Sequence, residues 1–149
     1  MLALASDHGG FQLKEGVAGY LGRKGIAFHD YGTYTEKSVD YPSVIKEACM
    51  DIQAGRADMG IFICGTGVGI SIAANKYNGI RAACVSEAFS AALAREHNDA
   101  NVLCLGGRIL ASEYAFSIID AFLNTGFSGG ERHILRIAGI KAIEESQNT

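Results

Sequence analysis

Short runs of apolar residues alternate along the chain with longer stretches in which apolar positions recur every three or four residues. The short runs, at residues 2–6, 27–31, 59–64, 81–85 and 102–105, predict five β-strands. Several are apolar almost throughout, as expected of parallel strands covered on both faces. The longer stretches predict helices. One covers 11–24 and stops at Gly25; another starts after Asp40-Tyr41-Pro42, where proline suits an early helical position. A third follows a glycine-rich turn at 65–69, and a fourth opens at Ser86-Glu87. Ser112 reads as the cap of a fifth, with Ala115, Ile118, Ile119 and Phe122 at helical spacing. The last, over 131–146, carries Ile134, Ile137, Ile140 and Ile143 at every third position, with Leu135 and Ala138 widening that face. This βαβ alternation shows no repeat or linker and predicts one doubly wound α/β domain over 1–149, with an extra carboxy-terminal helix.

A chain of 149 residues, 48% hydrophobic and 19% charged, is long enough to enclose a real core, which excludes disorder. Its net charge of -3 removes the main driving force for nucleic-acid binding. The apolar run at residues 1–5 is too short for a signal peptide and has no positive flank, and no stretch approaches bilayer-spanning length. A cytoplasmic protein without membrane contact is expected. The four cysteines lie far apart, without the close pairing of a zinc site, and a disulfide framework does not suit such a domain. Cys49, Cys84 and Cys104 read as core residues, and His29 as a packed ring in the second strand.

The richest chemistry lies in Ile63-Cys64-Gly65-Thr66-Gly67-Val68-Gly69-Ile70, a glycine turn leading from a buried strand into a helix. Converging backbone N–H groups in such a turn stabilise an anion, either a bound phosphate or an oxyanion formed during reaction. The same field favours a thiolate at Cys64, as nucleophile or base. A further buried strand cysteine is the other reading, and the spacing leaves both open. A dinucleotide site also has a glycine-rich βα turn with an acid about 20 residues on, here Glu87. The spacing is GxGxG, however, and Ile70 stands where the third glycine of that motif belongs. A phosphate loop of the Gly-Lys-Ser/Thr type is absent from the sequence.

Asp7, His8, His97, Asn98, Arg108, Arg132 and Arg136 fall at predicted strand ends or helix termini, where ligands of open α/β sheets bind. Arg132 and Arg136, four apart on one helical face, can grip a single phosphate, although such pairs are more often simply solvated.

Together, Ser6-Asp7-His8-Gly9-Gly10, Tyr31-Gly32-Thr33, Asp40-Tyr41-Pro42, the run from Cys64-Gly65-Thr66-Gly67-Val68-Gly69 to Asn75-Lys76, Gly79-Ile80-Arg81-Ala82, His97-Asn98-Asp99-Ala100-Asn101-Val102 and Gly106-Gly107-Arg108 closely resemble the type B ribose-5-phosphate isomerases. That family includes the galactose-6-phosphate isomerase subunits, and the resemblance runs in order along the whole chain. It implies a Rossmann-like five-stranded parallel sheet and a homodimer or dimer of dimers with shared active sites. It also implies cofactor-free, metal-free aldose–ketose isomerisation of ribose 5-phosphate and ribulose 5-phosphate, a pentose phosphate pathway reaction. By resemblance, Cys64 is the base that moves a proton between C1 and C2, and Thr66 assists at the oxygens. The backbone of Gly65, Gly67, Val68 and Gly69 holds the enediolate. His97 opens the furanose ring, Asp7 and Asn98 bind sugar oxygens, and Tyr41 and His8 contact substrate, with Arg108, Arg132 and Arg136 mainly at phosphate. Another branch of the family uses a glutamate base where this chain has Ile70, a departure that favours Cys64. Galactose 6-phosphate or allose 6-phosphate isomerisation, and a non-catalytic nucleotide-binding module, stand as the alternatives.

Overall fold

Five parallel strands order themselves β2-β1-β3-β5-β4 in a computed structural model of the chain, which describes residues 1–147. They are β1 (Leu2–Ser6), β2 (Phe28–Asp30), β3 (Met59–Cys64), β4 (Ala82–Cys84) and β5 (Val102–Gly106). The alternation of side chains along β1, β3 and β5 splits the core in two. Leu2, Leu4, Ile61, Ile63, Leu103 and Leu105 face α1 (Phe11–Arg23), α5 (Ala88–Asn98) and α6 (Ser112–Leu123). Ala3, Ala5, Phe62, Cys64 and Cys104 face α3 (Lys46–Gln53) and α4 (Val68–Ala74). Both faces of the central strands are therefore covered, which is why their sequences are continuous in apolar residues.

The two edge strands are shorter than the sequence predicts, because each has a hydrogen-bonding neighbour on one side only. The helix expected after Pro42 is broken into α2 (Tyr41–Val44) and α3, with buried Ile45 at the joint. Ser112 is the first residue of α6 rather than its cap; Ala111, in extended conformation, holds the cap position. Glu87 does cap α5, its carboxylate accepting the N–H groups of Phe89 and Ser90 at 2.7 Å each. Cys84 is exposed, not core, because β4 lies at the sheet edge. His29 is likewise exposed, meeting Tyr31 edge-on at 4.5 Å.

The last helix, α7 (Glu131–Ser146), packs on α5. It leaves Ile134, Leu135, Ile140 and Ile143 about half or more exposed. No helix among the described residues is long and apolar enough to cross a membrane.

The order in which strands are added changes side at β1: β2 lies on one side of it and β3 on the other. A crevice therefore opens between the carboxyl ends of β1 and β3, the place where sheets of this kind bind ligands. Close backbone approach seals its floor. A Cβ built on Gly10, at the start of α1, would lie 2.5 Å from the Ile63 carbonyl oxygen. We expect Gly10→Ala to lower unfolding free energy by about 1–3 kcal/mol in urea titration, since neither backbone can yield. Gly22→Ala, where nothing lies within 4 Å, is the control and should leave stability unchanged or raise it. Equal stability of the two variants would contradict the close-approach account.

Candidate active site

Three loops at the carboxyl edge of the sheet interlock around Cys64. Asp7, buried after β1, accepts the N–H groups of Gly9 at 2.8 Å and Gly10 at 3.1 Å, so its own loop is pinned in a tight turn. A side chain on Gly9 would meet the Gly65 nitrogen at 3.0 Å, and one on Gly107 would meet the Gly9 carbonyl oxygen at 2.7 Å. Arg108, just beyond β5, donates its backbone N–H to the Gly65 carbonyl at 3.0 Å and lays its guanidinium against the same glycine.

The turn after β3 needs glycine at Gly67 for two reasons: its φ is +79°, and a Cβ there would lie 2.9 Å from Leu105. This conformation turns the Gly67 N–H back onto the Cys64 Sγ at 3.1 Å. Such a bond strengthens as the sulfur acquires negative charge. Of the first-turn N–H groups of α4, which find no acceptor inside their own helix, that of Val68 is held by Thr66 Oγ1 at 3.3 Å. Tyr41 closes the side of the loop, its ring 2.8 Å from where a Gly69 Cβ would be. His8 accepts the Val39 N–H on Nδ1 at 3.3 Å, which in the neutral ring leaves the proton on Nε2. A cavity of about 380 Å³ adjoins the loop, lined among others by Thr66, Val68, Cys84 and Gly106.

The other predicted site residues lie elsewhere. Helix α5 returns antiparallel to the strands, so His97 and Asn98 reach the amino edge of the sheet. There Arg81, which precedes β4, donates to the Asn98 carbonyl at 3.0 Å. Asp99 adopts a left-handed conformation and its carboxylate takes both Arg81 (3.1 Å) and Arg95 (2.8 Å), fixing this helix end. His97 stacks on His133 of α7, ring centroids 4.3 Å apart and 11° from parallel. Arg132 and Arg136 are exposed beside it, and Arg132 Nε donates to His133 Nε2 at 3.3 Å. Asn98 also lines a larger cavity of about 670 Å³ with Arg81, Ile140 and Ile143.

One chain thus gathers Asp7, His8, Tyr41, Cys64, Thr66, the loop glycines and Arg108 at one edge. It gathers His97, Asn98, Arg132 and Arg136 at the other. The six residues of β3 separate the two groups by roughly 16–20 Å.

The model of the family described as Ribose/Galactose Isomerase matches residues 2–140. The chain belongs to that family. Ribose-5-phosphate isomerase B of Escherichia coli is 46% identical over 147 residues, covering 99% of this chain and 98% of the relative. Ribose-5-phosphate isomerase B of Clostridium thermocellum superposes with a TM-score of 0.95 at 44% identity, covering 98% of each chain. The enzyme of Mycoplasma genitalium, solved with bound ribulose-5-phosphate, has a TM-score of 0.90 at 40% identity, with 97% of this chain and 95% of that one covered.

Among the described residues, no group of three or more His, Cys, Asp and Glu side chains is arranged to hold a metal ion. Burial pushes the Cys49 thiol up to about 12, and Cys104 well above the ordinary range. Those two thiols therefore stay protonated.

His133 was not legible as a site residue in the sequence. Its only signal is its place between the two arginines, and its partner lies 36 positions away, on another helix. Burial, then the positive charges of His97, Arg132 and Arg136, hold its pKa below the usual histidine value. The unfolded chain therefore takes up this proton first, and stability from this group falls as pH drops below about 6.5. An NMR titration should place the His133 midpoint below that of a free imidazole. A midpoint at or above the ordinary value would remove the group from this role.

Proposed function

We propose that this chain interconverts D-ribose 5-phosphate and D-ribulose 5-phosphate in a site completed by a second copy of itself. The observation that carries the reading is the Cys64 thiol at the β1/β3 crevice, bonded to the Gly67 N–H and bordered by Asp7 and the glycine loop. The names of the relatives support the substrate, and the bound ribulose-5-phosphate of the Mycoplasma genitalium enzyme supports a pentose phosphate as ligand.

A proton α to a carbonyl is weakly acidic, so a base succeeds only where donors take up the charge that develops on oxygen. Cys64, as thiolate, removes the C2 proton of the open-chain aldehyde. The electron pair forms the C1–C2 double bond, and O1 becomes the oxyanion facing the N–H groups of Gly65 to Gly69. Cys64 then returns the proton to C1 while the C2 hydroxyl passes its own proton to O1, which leaves the ketone at C2 and a hydroxyl at C1; Thr66 assists at these oxygens. The sugar must first open. His97 gives a proton to the ring oxygen while a water molecule takes the proton of the C1 hydroxyl, so that C1 becomes the aldehyde carbon as its bond to the ring oxygen breaks. Imidazole suits this step because it exchanges protons near neutral pH. Arg132 and Arg136 hold the phosphate with Arg108 and His8, so binding energy remote from the reaction aligns C1 and C2.

His97 and Cys64 stand at opposite edges of one sheet, so a single chain does not place both on one sugar. Two copies related by a two-fold axis solve this twice over, each lending its amino-edge group to the other's crevice. The exposed isoleucines of α7 supply an apolar surface for that contact.

A coupled assay across five- and six-carbon aldose phosphates, with and without EDTA, tests the reading. Turnover of ribose 5-phosphate that survives EDTA is expected. A six-carbon preference would move the assignment to galactose 6-phosphate or allose 6-phosphate. Nucleotide affinity without turnover would overturn it. Cys64→Ala should lower kcat by about 10²–10⁴ with KM nearly unchanged, because the thiolate acts mainly in the transition state. Retained turnover would remove Cys64 from the chemistry.

Cys64→Ala and His97→Ala chains, each nearly inactive alone, should complement when unfolded together and refolded in equal amounts. Half the dimers are then mixed, and each has one intact site of two, so about a quarter of wild-type activity returns. Mixed dimers without activity would place both residues in one chain's site.

A further inference from the structure

The side chain of Lys14, in the first turns of α1, is wholly withdrawn from solvent. Its Nζ lies 2.5 Å from Asp30 Oδ2 and 3.4 Å from Glu15 Oε1, beneath the ring of Tyr34 at 5.1 Å and beside Phe11 at 5.7 Å. A buried ion pair of this kind is weak support for stability, since apolar residues of the same shape often serve as well or better. What sets it apart is what Asp30 holds with its remaining groups.

Asp30 Oδ1 accepts the Gly32 N–H at 2.8 Å, and the Asp30 carbonyl accepts the Tyr34 hydroxyl at 2.9 Å. Gly32 in turn accepts the Ser6 N–H on its carbonyl at 2.6 Å, while the Ser6 carbonyl accepts the Thr33 N–H at 2.6 Å. Ser6 is thus held on both of its backbone groups by this segment, one residue before Asp7. Farther along, the Val39 N–H reaches His8 Nδ1. Residues 30–39 therefore form a strap that touches the crevice corner at both ends, and its inner end is anchored to a buried cation. Neither Lys14 nor any residue of 30–39 carries a role in the isomerisation described above.

We propose that Lys14 is a positioning residue: through Asp30 it clamps the 30–39 strap against Ser6 and so fixes Asp7 and His8 toward the sugar phosphate. This rests on the isomerase reading for its kinetic consequence, but the placement of His8 can be read without turnover. In a low-dielectric setting a charge pair has a narrow geometric optimum, which a methionine or leucine contact lacks. The clamp therefore contributes register rather than net stability.

Lys14→Met/Asp30→Asn removes both charges together and leaves neither one buried alone. The melting temperature should stay within a few degrees of wild type. KM for ribose 5-phosphate should rise about tenfold and inhibition by inorganic phosphate should weaken, while alkylation of Cys64 by iodoacetamide keeps its rate. Long-range 1H–15N NMR should show the His8 ring change from one neutral tautomer, with the proton on Nε2, to a mixture. A folded double variant with wild-type KM and an unchanged His8 tautomer overturns the proposal. So does a rise in KM matched by equal slowing at Cys64, which would mean a general disturbance. Should the double variant fail to fold, Tyr34→Phe decides, since it removes only an exposed hydroxyl from the strap. A KM rise of about threefold with a His8 tautomer change is then expected, and wild-type values for both overturn the clamp. A wild-type chain that turns over no sugar phosphate sinks the isomerase reading alone, because the His8 tautomer still reports on the clamp.

Discussion

Backbone meets backbone at the carboxyl edge of this sheet, at distances that exclude any side chain. Gly10 lies against Ile63, Gly9 against Gly65, Gly107 against Gly9, and Gly106 against the Thr66 carbonyl. Because the loops after β1, β3 and β5 approach this closely, Asp7, Cys64 and Arg108 share one small volume although they are separated by dozens of residues. The approach also fixes the Gly67 turn, which aims its N–H at the Cys64 sulfur. The glycine contacts that build the floor therefore also hold the Gly67 dipole in place.

The same rigidity keeps the two groups of predicted site residues apart within one chain. Parallel strands require each helix to carry the chain back from the carboxyl edge to the amino edge, so a residue at the end of α5 lies one strand length from the crevice. His97 and Asn98 are placed there by topology, and the Asp99 turn with its two arginines holds them firmly. The stack of His97 on His133 ties this end to α7 and brings Arg132 and Arg136 into the same neighbourhood. Beside this cluster the apolar face of α7 is about half exposed, a surface of the kind that meets a partner.

Buried polarity in the chain has a consistent use. Asp7 pins its own turn through Oδ1, and Lys14 and Asp30 neutralise each other while Asp30 also holds the Gly32 N–H. His133, its pKa held below the usual histidine value by burial and by cationic neighbours, accepts from Arg132. Each of these groups has a low-dielectric setting in which misplacement is costly, so each defines geometry more than it adds stability.

Hydrophobic periodicity by itself determined the five strands, the order of the helices and the doubly wound class, because strands covered on both faces read as continuous apolar runs. The spacing of Cys64 to Gly69 marked a tight glycine turn between β3 and α4, since only glycine serves where φ is positive and backbones touch. Tertiary structure alone decided the rest. Strand order placed β4 at an edge and so exposed Cys84, which composition had put in the core. The pairing of His97 with His133 and of Lys14 with Asp30 joins residues on different elements, and no local pattern encodes such distances. The separation of His97 from Cys64 is likewise a property of topology, for the period of a helix records which face a residue takes but not which edge of the sheet it reaches.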